Sequence, residues 1–187
     1  RDHRIKVRIA LKKSGEITAM EVDDIGAVGA YGMPMRFNVA EGMMAITIAG
    51  APYSFENYKA RARSVYVNKN LIGMYRGVGM PLACIVAELL TDFAATALGI
   101  DTVEFKRRNY RPKASLPCVT PGGQKLETVS FHECLEKLVQ LIDYDKLRKE
   151  QQQLRKQGVY RGIGIGTFVE QTAYGPPYYG PSAAPIS

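Results

Sequence analysis

The sequence predicts an α+β fold: an N-terminal β-hairpin and further strands, then a block of helices, then a C-terminal strand. Three observations carry this reading. Residues 5–12 alternate apolar and charged side chains, the period of a half-buried strand. Residues 81–98 form a long, strongly apolar helical pattern. Residues 161–170 alternate again, so the strand patterns flank the helices and do not interleave with them.

Each element follows in chain order. Ile5, Val7, Ile9 and Leu11 share one strand face, and Lys6, Arg8 and Lys12 the other. Ser14 and Gly15 supply a turn, and residues 17–25 read as the returning strand of a hairpin. Gly26, Gly29 and Gly32, followed by Pro34, mark an irregular loop. Residues 38–49 carry two signals. Asn38 suits a helix cap and Val39, Met43 and Ile46 have helical spacing, while the β-branched Ile46-Thr47-Ile48 favours a strand; helix is preferred. A third strand covers residues 60–67, with Val65 and Val67 on the face of Arg61 and Arg63. Gly73 to Gly79 form a glycine-rich segment, and Pro81 suits the first turn of the helix that follows.

In helix 81–98, Glu88, Thr91, Asp92 and Ala95 make one narrow polar stripe, which predicts burial of the remaining faces; Gly99 ends the helix. Asp101 caps a short helix reaching Asn109, with Glu104 in the capping-box position. Residues 111–129 read as a loop. Ser130 and Glu133 repeat the capping-box pattern, and Phe131, Cys134, Leu135, Leu138 and Ile142 share a helix face. A polar helix spans residues 144–157 and closes at Gly158. In strand 161–170, Ile163, Ile165, Thr167 and Val169 share a face; Gly162, Gly164 and Gly166 leave the other flat enough for a backbone or a ligand. Residues 174–186 form an exit loop. The expected organisation is residues 1–80 (strands and glycine loop), 81–157 (helical block) and 158–187 (strand and exit loop), all part of one truncated larger domain.

Composition narrows the function. The 187 residues are 46% hydrophobic and 23% charged, an ordinary globular balance. No apolar run approaches the roughly 18–20 residues of a membrane span, and residues 1–8 do not lead into a signal peptide. A cytoplasmic protein without a membrane partner is expected. The net charge is +7, but the cations are scattered and no zinc-finger, RNA-recognition or basic-zipper pattern is present, so nucleic acid is not the expected partner. Cys84, Cys118 and Cys134 have no metal-ligand spacing, and Cys84 and Cys134 are expected to be buried in helices. His3 sits in a charged stretch and His132 is expected to face solvent; neither joins a catalytic arrangement.

Two segments could carry chemistry. Gly73 to Gly79 runs into a helix start, where backbone amides and the planar donor fork of Arg76 can hold an anion. The alternative is a tight structural turn, since Pro81 removes one amide and the spacing matches no phosphate-loop pattern. Gly162 to Gly166, followed by Glu170 and Gln171, lies within a strand, which fits close packing better than nucleotide binding.

Residues 75–112, YRGVGMPLACIVAELLTDFAATALGIDTVEFKRRNYRP, resemble the large, molybdenum-binding subunit of xanthine dehydrogenase/aldehyde oxidase-type hydroxylases. They share that family's aromatic-Arg-Gly-x-Gly loop, proline, apolar helix, Leu-Gly-hydrophobic-Asp turn and basic-Asn ending. Residues 3–31 resemble its entry hairpin, and residues 144–176 its later DYxxLR…RGxGIG…E…GP stretch. The resemblance implies an oxidoreductase that hydroxylates an aldehyde or N-heteroaromatic compound with oxygen from water. It implies a molybdenum cofactor, molybdopterin or its cytosine dinucleotide, with 2Fe-2S and FAD on partner subunits or domains. By position it makes Tyr75, Arg76 and Gly77 cofactor-contacting, and places Val78 and Met44 in the substrate pocket. Gly77 stands where carbon monoxide-oxidising members carry a cysteine, and Met44 where xanthine-oxidising members carry an arginine, so neither carbon monoxide nor xanthine is the expected substrate. The family's general-base glutamate falls beyond Ser187, so Glu170 is not that base and the chain alone is expected to be inert. The competing readings are a stand-alone anion- or nucleotide-binding module and a structural assembly module.

Overall fold

The computed structural model describes residues 2–32, 38–73 and 75–170. Pro34, Gln171 and the expected exit loop lie outside the described residues. β1 (His3–Leu11) and β2 (Ile17–Ala27) form the expected antiparallel hairpin, with Val7 opposite Val22. At its turn Gly15 adopts φ +87°, and its N–H donates to the Lys12 carbonyl at 2.9 Å. β3 (Asn57–Val65) lies parallel to β2 on its other edge, with Val22 opposite Ala60.

Parallel neighbours require a crossover, and α1 (Ala40–Ile48) lies within it. Residues 38–49 are therefore mainly helical, the β-branched run falling in the last turn, where Thr47 Oγ1 donates to the Met43 carbonyl at 2.8 Å. Asn38 is not the cap: Val39 holds that position, and Asn38 Nδ2 donates to the Ile72 carbonyl at 2.9 Å.

α2 (Met80–Leu98), α3 (Thr102–Asn109), α4 (Phe131–Leu141) and α5 (Tyr144–Lys156) fall where the sequence places them. Asp101 Oδ1 accepts from the Val103 N–H at 2.9 Å as the cap of α3. Its Oδ2 accepts from the Tyr144 hydroxyl at 2.9 Å, which ties α5 to that cap. At α4 the expected cap is absent: Ser130 Oγ contacts Cys134 Sγ at 3.4 Å instead. The loop 111–129 contains β4 (Cys118–Val119) and β5 (Lys125–Leu126), a hairpin too short to show a period in sequence.

The facing of α2 departs in part from expectation: Asp92 is exposed and Ala83, Val86 and Ala87 are buried as the pattern predicts, but the rest of the polar stripe turns inward. Thr91 and Ala95 are fully buried and Glu88 nearly so, while Ile85, Leu89 and Phe93 are 54%, 55% and 70% exposed. Burying the polar stripe is tolerable because Lys106 of α3, wholly buried, donates to Glu88 Oε2 at 2.5 Å and to the Tyr53 hydroxyl at 2.9 Å. Tyr53 in turn donates to Glu88 Oε1 at 2.7 Å. Each buried charge then has its counter-charge and hydrogen-bond partners, which offsets the cost of taking both out of water. α2 is also long and apolar enough by length and composition to cross a membrane, contrary to the sequence expectation. In this fold it packs against α1, α3 and β1.

The core gathers Met20 and Val22 of β2, Tyr53 and Phe55, Ala83, Val86 and Ala87 of α2, Val103 and Phe105 of α3, and Phe131 and Leu135 of α4. Asn109 locks the hairpin to α3: its Oδ1 accepts from the Ile17 N–H and its Nδ2 donates to the Gly15 carbonyl, both at 2.8 Å.

Residues 161–170 alternate in burial as expected but pair with no strand among the described residues. Side chains hold the segment instead. The Thr167 N–H donates to Glu88 Oε2 at 2.8 Å, and Gln151 Nε2 donates to the Arg161 carbonyl at 2.7 Å. A Cβ on Gly162, Gly164 or Gly166 would meet nothing within 4 Å, so no described residue makes the close approach those glycines permit.

Candidate functional site

The glycine loop enters α2 through three successive residues of positive φ: Gly77 at +84°, Val78 at +26° and Gly79 at +78°. Glycine adopts such angles freely, but a β-branched valine is strained there. Strain of this kind persists only where surroundings enforce it, and it clusters at ligand sites. The enforcing contacts are visible. The Met80 N–H donates to the Gly77 carbonyl at 2.8 Å, and the Ala83 N–H to the Gly79 carbonyl at 3.0 Å. Gly79 lies flush on α1: a Cβ there would stand 2.1 Å from the Glu41 carbonyl oxygen and 3.0 Å from the Ala45 nitrogen.

The loop and α1 are thus one packed unit. Met44 lies on α1 between Glu41 and Ala45 and is half-buried against the core. Gly77 and Val78 are half-buried. Tyr75 is 74% exposed. Arg76 is exposed, and its own side chain has no hydrogen bond or ion pair among the described residues. The structure brings the helix of Met44 and the loop of Tyr75 to Val78 side by side. An exposed guanidinium on a rigidly held glycine turn is a ready anion acceptor, since its planar fork matches an oxyanion pair.

Behind α1 stands a polar cluster that sequence reading missed. His3 Nδ1 is 2.9 Å from Asp24 Oδ1 and its Nε2 is 3.7 Å from Glu41 Oε2, with the three side chains 7%, 1% and 8% exposed. It joins β1, β2 and the first turn of α1, the turn on which Gly79 rests. The signal existed, because His3 falls in the alternation of Ile5 and Val7 and so on the inward face. His132 is also not solvent-facing: it is half-buried, with Nε2 3.1 Å from the Arg107 carbonyl and its ring edge-on to Tyr110.

The Glu88–Lys106–Tyr53 cluster supports the other end of the unit along α2. Burial, and then the charge of Glu88, hold the Tyr53 hydroxyl well above its ordinary pKa. Cys84 is half-buried, its thiol pushed up by burial, and Cys134 is exposed, contrary to expectation. No group of three or more potential metal ligands occurs among the described residues. Glu170 is exposed.

These features coincide with a known family. Residues 1–110 match the molybdopterin cofactor-binding domain, and the chain belongs to that family, within the xanthine dehydrogenase/aldehyde oxidoreductase group of large subunits. The chain is 29% identical to the nicotine 6-hydroxylase large subunit of Paenarthrobacter nicotinovorans over 90% of its own length and 20% of that protein's. It is 31% identical to the aldehyde oxidoreductase of Megalodesulfovibrio gigas over 88% of its length and 17% of the relative's. The crystal structure of quinoline 2-oxidoreductase from Pseudomonas putida 86 superposes with a TM-score of 0.80 at 28% identity, covering 90% of this chain and 21% of that one. The chain therefore spans about a fifth of the length of these relatives.

Proposed function

We propose that the parent protein is a molybdenum-dependent oxidoreductase that hydroxylates an aldehyde or an N-heteroaromatic ring with oxygen from water, and that this chain forms part of its cofactor-holding wall. The observation that carries the reading is the strained turn Gly77–Val78–Gly79, seated on α1 and presenting an uncommitted Arg76. Family membership supports it, as do relatives named for nicotine, quinoline and aldehyde substrates.

The residues present fit such a group. Arg76 offers a positive, planar fork to the anionic end of a pterin, with Tyr75 and Gly77 beside it, and Val78 and Met44 are proposed to line the substrate pocket. When bound, the cofactor supplies the two-electron oxidising centre. In this proposal the residues of this chain bind and orient, and the proton transfer at the reacting carbon belongs to another part of the parent protein. Molybdopterin, in its simple or cytosine-dinucleotide form, is the proposed cofactor. The proposed partners are the remainder of the large subunit and 2Fe-2S and FAD modules, in the cytoplasm. An apolar Met44 and a glycine at position 77 disfavour xanthine and carbon monoxide as substrates.

The test uses the full-length protein: metal and pterin analysis, then turnover of aldehydes and N-heteroaromatics in isotopically labelled water. Molybdenum with label in the product is the expected result. A protein that purifies without molybdenum, and takes none up on reconstitution, contradicts the reading.

A further inference from the structure

The outward face of the three-stranded sheet carries a charge pattern that the cofactor reading does not use. The register places Arg8, Glu21 and Lys59 in one row, Lys6, Asp23 and Arg61 in the next, and Arg4, Ile25 and Arg63 in the third. All six cations are exposed, and both acids lie on the central strand. Glu21 is shared by Arg8 and Lys59, and Asp23 by Arg61 and Arg63. Arg4 and Lys6 have no ion pair among the described residues. Six cations against two carboxylates leave a formal excess of four on one flat face.

Alternate residues on a strand stand about 7 Å apart and neighbouring strands about 4.8 Å. Neighbouring cations in this array therefore lie within a Debye length of about 10 Å and repel. Acidic groups from outside the chain would relieve that repulsion. Four of the six cations are arginine, the basic residue enriched at protein interfaces, where lysine is depleted. The face carries no aromatic side chain on which a base could stack, and its two central carboxylates oppose a phosphate backbone. Both features favour a protein over a nucleic acid.

We propose that this sheet face docks an acidic surface of a companion subunit of the same enzyme. The inference rests on the large-subunit reading above, and the names of relatives, one a "large subunit" and another a "complex subunit gamma", fit an assembly of several chains. Arg8, Arg61 and Arg63 arrive partly ordered by Glu21 and Asp23, and Arg4 and Lys6 supply unsatisfied charge.

The experiment is subunit association in the purified holoenzyme, followed by sedimentation from about 50 to about 500 mM NaCl, a range that shortens the Debye length severalfold. In the Arg4→Glu/Lys6→Glu variant, association should weaken about tenfold or more at low salt, with the difference fading at high salt. Arg4→Gln/Lys6→Gln should fall between that variant and wild type. Lys146→Glu/Lys149→Glu on α5 changes the net charge equally and should leave association intact. Thermal unfolding checks that each variant is folded. Equal association of wild type and the Arg4/Lys6 variants overturns the proposal, as does an enzyme that purifies as a single polypeptide. Loss of oligothymidine binding in the same variants, with association unchanged, overturns it in favour of nucleic acid. Molybdenum content is read separately: if it is absent while the salt-dependent association holds, the cofactor reading fails and the docking face stands.

Discussion

Lys106 shows how one residue can decide a fold's interior. It is wholly buried, and its ammonium is held by Glu88 and Tyr53. Lys106→Met would strand the Glu88 carboxylate among buried atoms, and breaking a buried pair this way costs about 3–5 kcal/mol. Urea midpoints should show that loss, and Lys106→Met combined with Glu88→Gln should recover part of it. A midpoint equal to wild type in Lys106→Met would mean that Glu88 reaches solvent. Val78 is the opposite case, a side chain in a conformation it resists. Val78→Gly should raise stability by about 1 kcal/mol by releasing that strain. If the same change lowers turnover of the full-length enzyme, the strain is being used to shape the site.

At the scale of elements, α2 is the instructive one. Its ends were legible, Pro81 at the start and Gly99 at the stop, but its facing was not. A polar stripe of Glu88 and Thr91 reads as solvent-exposed when the helix is taken alone, because nothing in residues 80–98 announces that Lys106 lies opposite. The exposed residues are instead Ile85, Leu89 and Phe93. Leu89→Ala should therefore change stability by no more than about 0.5 kcal/mol, as exposed positions do. Phe105→Ala on α3, whose ring is wholly buried, should cost about 3–5 kcal/mol. Chemical denaturation of both variants decides the facing: a large loss at Leu89 with none at Phe105 would restore the sequence-derived orientation. Elements with strong local signals were readable for the same reason that α2's facing was not. The β1–β2 alternation, the Asp101 cap and the Gly158 stop each depend on near neighbours. The parallel pairing of β2 with β3, the His3–Asp24–Glu41 cluster and the β4–β5 hairpin depend on distant or very short segments. The loop of Tyr75 to Gly79 was legible as a candidate through its glycines, but its strain and its seat on Glu41 and Ala45 required three dimensions.

Across the whole molecule, buried tyrosines set an alkaline limit. Burial, and then the bond to Asp101, hold the Tyr144 hydroxyl up at about 12, against an ordinary value of about 10. Burial raises Tyr58 and Tyr110 as well. A folded-state pKa above the unfolded one favours the neutral phenol in the native protein. That contribution is complete below pH of about 10 and is lost as pH rises toward about 12, because the unfolded chain ionises first. Urea midpoints should hold from neutral pH to about 9 and fall beyond about 10. Tyr144→Phe should soften the fall, and an unchanged slope would place that hydroxyl in solvent.

The central claim is that the strained loop places Arg76 on the anionic end of a molybdenum cofactor. Each charge-assisted hydrogen bond there contributes about 1.5–3 kcal/mol. The measurement that tests it most directly is molybdenum content, alongside steady-state turnover, of the full-length protein with Arg76→Ala, Arg76→Lys and Arg63→Ala, after each variant is shown to be folded. The account predicts reduced molybdenum or turnover in Arg76→Ala. It predicts partial recovery in Arg76→Lys, whose ammonium lacks the planar fork, and wild-type cofactor content in Arg63→Ala, which sits on the sheet face away from the loop. Equal molybdenum and equal turnover in Arg76→Ala and wild type would contradict it and reduce the glycine loop to a structural turn.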